Sequence, residues 1–168
     1  MNVTELLVDA FGRVRNAVHH AVDGLSPEQL AFRADAEANT VAWLVWHLTR
    51  IQDDHIADVA GRDQAWTADG WAKRFDLPFD ASATGYGHDA DEVAAVVAPA
   101  ELLTAYYDAV HEQTLRYLAG LTADDLDAVV DTSWDPPVTL GVRLVSVLND
   151  DLQHAGQAAF LRGLIERR

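Results

Sequence analysis

Residues Asn39 to Gly61 read NTVAWLVWHLTRIQDDHIADVAG, and this stretch decides the fold class. Leu44, Leu48, Ile51 and Val59 recur at helical spacing, so they line one face of a helix. Asn39 and Thr40 are both suited to cap its first turn, and Gly61 to end it in a left-handed conformation. Outward from this segment the same period repeats. Leu7, Phe11, Val14, Val18 and Ala21 predict a helix from about Thr4 to Gly24. Leu103, Tyr107, Val110, Tyr117 and Leu118 predict another from Pro99 to Gly120. A last one follows Asp135-Pro136-Pro137 and runs from about Thr139 towards the C-terminus. Strand-like alternation is nowhere sustained, so the expected fold is an all-α four-helix bundle.

The connection between the second and third of these helices, roughly Arg62 to Ala98, is far longer than the ~2–8 residues usual in bundles. It predicts short helices around Trp71 and Val93 and a crossing of the whole bundle, hence an up-down-down-up order. Gly24-Leu25-Ser26-Pro27-Glu28-Gln29-Leu30 is echoed by Gly120-Leu121-Thr122-Ala123-Asp124-Asp125-Leu126. Both places read as a helix end followed by a capped short turn. Residues 1–168 are read as one domain, a size that supports one core.

Composition narrows the chemistry. Twelve basic side chains against 27 acidic ones give a net charge of −15, which disfavours nucleic acid and anionic membrane surfaces as partners. No cysteine is present, so the chain has no disulfide, thiolate metal site or thiol nucleophile of its own. The first residues carry neither the basic run nor the apolar core of a signal peptide, which leaves a cytoplasmic protein as the expectation.

Of seven histidines, His19, His20, His88 and His111 read as solvated or locally hydrogen-bonded. His111 in particular lies among Asp108, Glu112 and Arg116, which suggests a solvated face. His47 and His154 differ in having apolar neighbours on the inward side. Asp150 precedes His154 by four residues, so the two stand one turn apart on one helix face and can address a single ion. Carboxylate oxygen and imidazole nitrogen are zinc ligands, and a catalytic zinc keeps three protein ligands and one open position. His47 would be the third. His47 lies ~10 Å into its helix and His154 ~18 Å from the end of its own, depths ~8 Å apart that the stagger of an antiparallel pair can absorb. The same spacing also suits two core histidines. Asp54 and Gln157 read first as polar helix residues, with orienting the imidazoles as their alternative role. Arg50, Arg143 and Arg162 are candidates to meet an anionic substrate, with nothing in the sequence to choose among them. Trp43, Trp46, Trp66, Trp71 and Trp134 are read as packing residues.

The segments Asn39 to Leu48 and Asp150 to Gln157, with Asp69 to Phe75 and Gly85-Tyr86-Gly87-His88 between them, resemble the DinB-like superfamily of metal-binding four-helix bundles. Within it they look like the actinobacterial mycothiol transferase branch, related to the N-terminal domain of mycothiol-dependent maleylpyruvate isomerase. That resemblance implies a zinc or nickel ion on His47, Asp150 and His154, with Asp150 standing where histidine is usual. It also implies a low-molecular-weight thiol such as mycothiol as cosubstrate, transferred to an electrophilic small molecule, and a homodimer. The same three ligands would serve a metal-dependent hydrolase or a non-catalytic stress-response binding module.

Overall fold

A computed structural model describes residues 1–168, and its architecture is mostly helical. Four long helices carry it: α1 (Val3–Val22), α3 (Val41–Ala60), α7 (Ala100–Leu118) and α8 (Leu140–Ile165). Short helices α2 (Pro27–Leu30), α4 (Ala65–Ala68), α5 (Trp71–Phe75) and α6 (Ala90–Ala95) fill the connections. A 3₁₀ turn, Asp124–Asp127, and a small antiparallel pair, β1 (Val129–Asp131) with β2 (Val138–Thr139), precede α8. No helix is long and apolar enough to cross a membrane.

The long helices begin and end where their capping chemistry dictates. Asn2 and Glu5 close a reciprocal capping box on α1, which starts at Val3, one residue before the expected Thr4. Thr40 Oγ1 accepts from the Trp43 N–H at 3.0 Å to open α3, and Gly61 ends it at φ 63°. The echoed glycine-led segments diverge. Ser26 caps an α-helical turn, whereas Thr122 and Asp125 bond to each other around a 3₁₀ turn.

Around the core the long helices follow the spatial order α1, α8, α3, α7. Cross-links fix the sense of each seam. Thr4 Oγ1 donates to the Leu121 carbonyl and Arg15 to Asp108, so α1 and α7 run oppositely. His47 meets His154 and His55 meets Arg143, so α3 and α8 also run oppositely. Arg50 Nη1 lies 3.5 Å from the Tyr106 hydroxyl and, further along both helices, the Tyr117 hydroxyl donates to the Val59 carbonyl, which sets α3 alongside α7 in the same sense.

Every residue from Val41 to Arg50 is buried, not only the stripe. The segment 62–98 covers the outward face of α3, which is what an all-round apolar helix requires. Burial of side chains the size of Leu44, Trp46 and Leu48 contributes about 1.5–3 kcal/mol each. A buried polar network fastens that cover. The Asp53 carboxylate accepts from the Ala65 and Trp66 backbone N–H groups at the start of α4, and from the Tyr106 hydroxyl at 2.9 Å. Arg50 donates to the Ala83 carbonyl and to Gln64 Oε1, with its guanidinium 5.0 Å over the Trp66 ring.

His111 departs from the expected solvated face. It is 7% exposed and stacks on Tyr107, ring centroids 6.0 Å apart. The buried face of α7 is wide enough to include it, because Tyr107, His111 and Thr114 lie beside Leu103, Val110 and Leu118 on adjoining rows of the helix.

Candidate metal centre

His47 sits in the second turn of α3, with Trp43 four residues earlier lying flat against its ring, centroids 4.5 Å apart and planes 13° from parallel. Its Nδ1 donates to the Thr84 carbonyl at 2.6 Å. A carbonyl only accepts, so this bond places the proton on Nδ1 and leaves Nε2 as a free electron pair. The chain can pass this closely only because residue 85 is glycine. A Cβ there would stand 2.8 Å from His47 Nδ1 and 3.0 Å from the Trp46 ring, at a φ of 94°.

His154 projects from α8 into the same space, its ring 4.8 Å from that of His47 and nearly perpendicular to it. Gln157 Oε1 lies 3.1 Å from its Nδ1, which again leaves Nε2 for the site. That Nε2 is 3.6 Å from Asp150 Oδ1. One ligand atom from each of His47, Asp150 and His154 lies within 4.8 Å of the others, and no other cluster of His, Asp and Glu side chains in the chain meets that test. Ligands held 2.0–2.2 Å from a tetrahedral ion stand roughly 3.3–3.6 Å apart, and His154 Nε2 and Asp150 Oδ1 already stand 3.6 Å apart. Asp150 Oδ2 is buried without a hydrogen-bond partner, an orphaned acceptor of the kind a cation satisfies. Two imidazole nitrogens and a carboxylate oxygen suit a borderline divalent ion.

Electrostatics separates the two histidines. Burial pushes His47 below the ordinary imidazole pKa, only partly offset by the bond to Thr84. Burial also lowers His154, but the Asp150 carboxylate 3.6 Å away and the bond to the Gln157 oxygen outweigh it and hold its pKa above the ordinary value. His47 is 5% exposed while Asp150 and His154 are half-buried, so the centre opens to solvent across α8.

The remaining residues singled out from sequence are distributed differently. Gln157 holds an imidazole, but Asp54 does not. It accepts instead from Gln64 Nε2 at 2.6 Å, because it points along the groove rather than back towards His47. None of the three arginines is free for an anion: Arg50 is wholly buried, Arg143 pairs with Asp131, and Arg162 holds the His20 and Asp23 carbonyls. His88 does lie in a loop, yet its Nδ1 accepts from Trp43 Nε1 and its ring packs on Trp46 and Phe79. Trp43, Trp46, Trp66 and Trp71 are buried, whereas Trp134 is 66% exposed. Thr84 and Gly85 escaped sequence reading. Thr84 contributes only its backbone, and Gly85 entered only as part of the segment that carries the family resemblance.

The fold is similar to the crystal structure of a conserved protein from Enterococcus faecalis, with a TM-score of 0.92 and 30% identity over 100% of this chain and 99% of that one. No curated protein matches the chain. The mycothiol-S-transferase family model matches residues 6–167. Nearly the whole chain is thus accounted for, and it belongs to the mycothiol S-transferase family.

Proposed function

We propose that the chain is a metal-dependent thiol S-transferase that uses mycothiol or a similar low-molecular-weight thiol on an electrophilic small molecule. His47, Asp150 and His154 would hold the metal, zinc or nickel, within residues 1–168 acting as one domain, an up-down-down-up bundle. The observation that carries this reading is the convergence of two correctly oriented imidazoles and one orphaned carboxylate oxygen at one point. The absence of cysteine supports it, since the nucleophilic sulfur must then arrive with a cosubstrate.

When bound, a divalent cation favours the thiolate form of a thiol over the protonated one. The chain's own residues do the rest. Thr84 and Gln157 fix both imidazoles in the tautomer that offers Nε2. Asp150 supplies one negative charge, so the ligand set is less cationic than three histidines would make it. Trp43 walls the site on the His47 side and keeps water from that ring. In the transfer, sulfur forms a bond to an electrophilic carbon, the leaving group departs with its electron pair, and the thiol proton passes to solvent.

Cobalt substitution of untagged protein tests the reading. Adding mycothiol should produce a sulfur-to-cobalt charge-transfer band, absent in His154→Ala. Turnover of an ester or amide with no band, and no dependence on thiol, would instead establish a hydrolase.

A further inference from the structure

A cavity of about 650 Å³ opens in the same groove between α3 and α8, and it shares no residue with the triad. Asp54 follows His47 by seven residues on α3, and Arg143 precedes Asp150 by seven on α8. Both helices therefore place the cavity about 10 Å from the triad, two turns along. Ala81 and Ser82 close one side, in the strand of chain that continues to Thr84.

The lining excludes most ligand classes. Only two of its twelve residues are hydrophobic, both alanines, and none is aromatic, so an apolar body finds nothing to bury against. Asp54, Asp58, Asp63 and Asp131 face two guanidinium groups, Arg62 and Arg143, giving 2 − 4 = −2, which disfavours phosphate or carboxylate ligands. Burial and then the neighbouring Arg143 hold His55 below its ordinary pKa, so it adds no positive charge. A metal ion is disfavoured too, because no His, Asp and Glu cluster converges there as the triad does.

What remains is a wall on which carboxylates alternate with guanidinium groups. Arg143 is held between Asp131 at 2.8 Å and His55 at 3.2 Å. Arg62 donates to the Asp63 carbonyl at 3.0 Å. Asp58 and Asp63 are exposed acceptors on the rim. An alcohol both donates and accepts, so neighbouring hydroxyls can bridge carboxylate and guanidinium where a purely donating or accepting group cannot.

We propose that this cavity binds the neutral polyhydroxylated part of the thiol cosubstrate, the sugar and cyclitol of mycothiol, while its cysteinyl arm extends up the groove to the triad. A cysteine side chain, its amide and one hexose ring cover a span of the separation just described. The proposal rests on the transferase reading above, and its test keeps the two apart.

Calorimetric titration of the full chain would use three probes: mycothiol, N-acetylcysteine, which lacks the polyol, and N-acetylglucosaminyl-inositol, which lacks sulfur. The sulfur-free probe should bind and compete with mycothiol, and N-acetylcysteine should bind at least about tenfold more weakly than mycothiol. Asp58→Ala with Asp63→Ala should weaken mycothiol and the sulfur-free probe by about tenfold, the worth of one or two hydrogen bonds, and leave N-acetylcysteine unchanged. Both side chains are exposed, so thermal unfolding should not move. Equal affinity for mycothiol and N-acetylcysteine, or no effect of the double variant, overturns the cavity assignment and leaves the transferase intact. Polyol binding with no cobalt–sulfur band supports the cavity and overturns the transferase.

Discussion

Gly85→Ala would test how the centre is held. At φ 94° an alanine pays roughly 1–3 kcal/mol of backbone strain. Its Cβ would also meet His47 Nδ1 at 2.8 Å, Trp46 Cζ3 at 3.0 Å and Trp43 Cζ2 at 3.2 Å, atoms of rigid rings that are themselves packed. The least costly escape is to tilt His47, which breaks its 2.6 Å bond to Thr84 and misdirects Nε2. Loss of such an outer bond typically weakens metal binding by about 10–100-fold. Strain alone should lower the melting temperature by roughly 3–10 °C. Gly87→Ala is the matched control, since it has a similar φ of 79° but open space around its Cβ. Chelator-competition titrations of both variants with zinc should show a loss for Gly85→Ala only, while both lose thermal stability. Equal zinc affinities in the two variants would refute the contact argument.

Gln157→Leu should weaken zinc binding by about tenfold with little change in melting, because the residue is exposed and acts only through His154; unchanged affinity in competition titration would remove its orienting role. Asp53→Ala strips the partner from buried Arg50, Tyr106 and two backbone N–H groups, and should cost about 3–5 kcal/mol, read as a melting temperature lower by roughly 10 °C. A shift under about 3 °C would mean that the network does not fasten segment 62–98. His111 is held below its ordinary pKa of 6.5 by burial and then by Arg15, so the fold favours its neutral form. The stability it contributes is present above that value and declines as pH falls through the lower folded-state pKa. Melting curves of metal-free protein between pH 7 and pH 5 should therefore flatten in His111→Asn, and parallel curves would contradict this.

The helices were legible because their ends are written in side chains. Asn39-Thr40 and Gly61 bracket α3, and Thr139 opens α8 after its two prolines. The triad was legible for a related reason, since Asp150 and His154 share one helix and His47 stands at a matching depth on another. What the sequence hid was made by backbone and by distance. Nothing local to His47 reveals that its partner is the carbonyl of residue 84, and Asp54, a plausible orienting carboxylate two turns along, is engaged by Gln64 instead. His111 was misplaced because its charged neighbours in sequence are not its neighbours on the buried face of α7. The pair β1 and β2, only three and two residues long, is too short to show any alternation.

Because the carbonyl rather than the side chain of Thr84 grips His47, the identity of that residue is decoupled from its task. Position 84 can drift freely among side chains while the ligand keeps its tautomer, whereas position 85 cannot accept even a methyl group. Anyone grafting this centre onto another helical scaffold would have to copy a path of main chain, held by Arg50 through Ala83, and not merely three ligands. Transplanting His47, Asp150 and His154 alone would carry the donors across without the geometry that aims them.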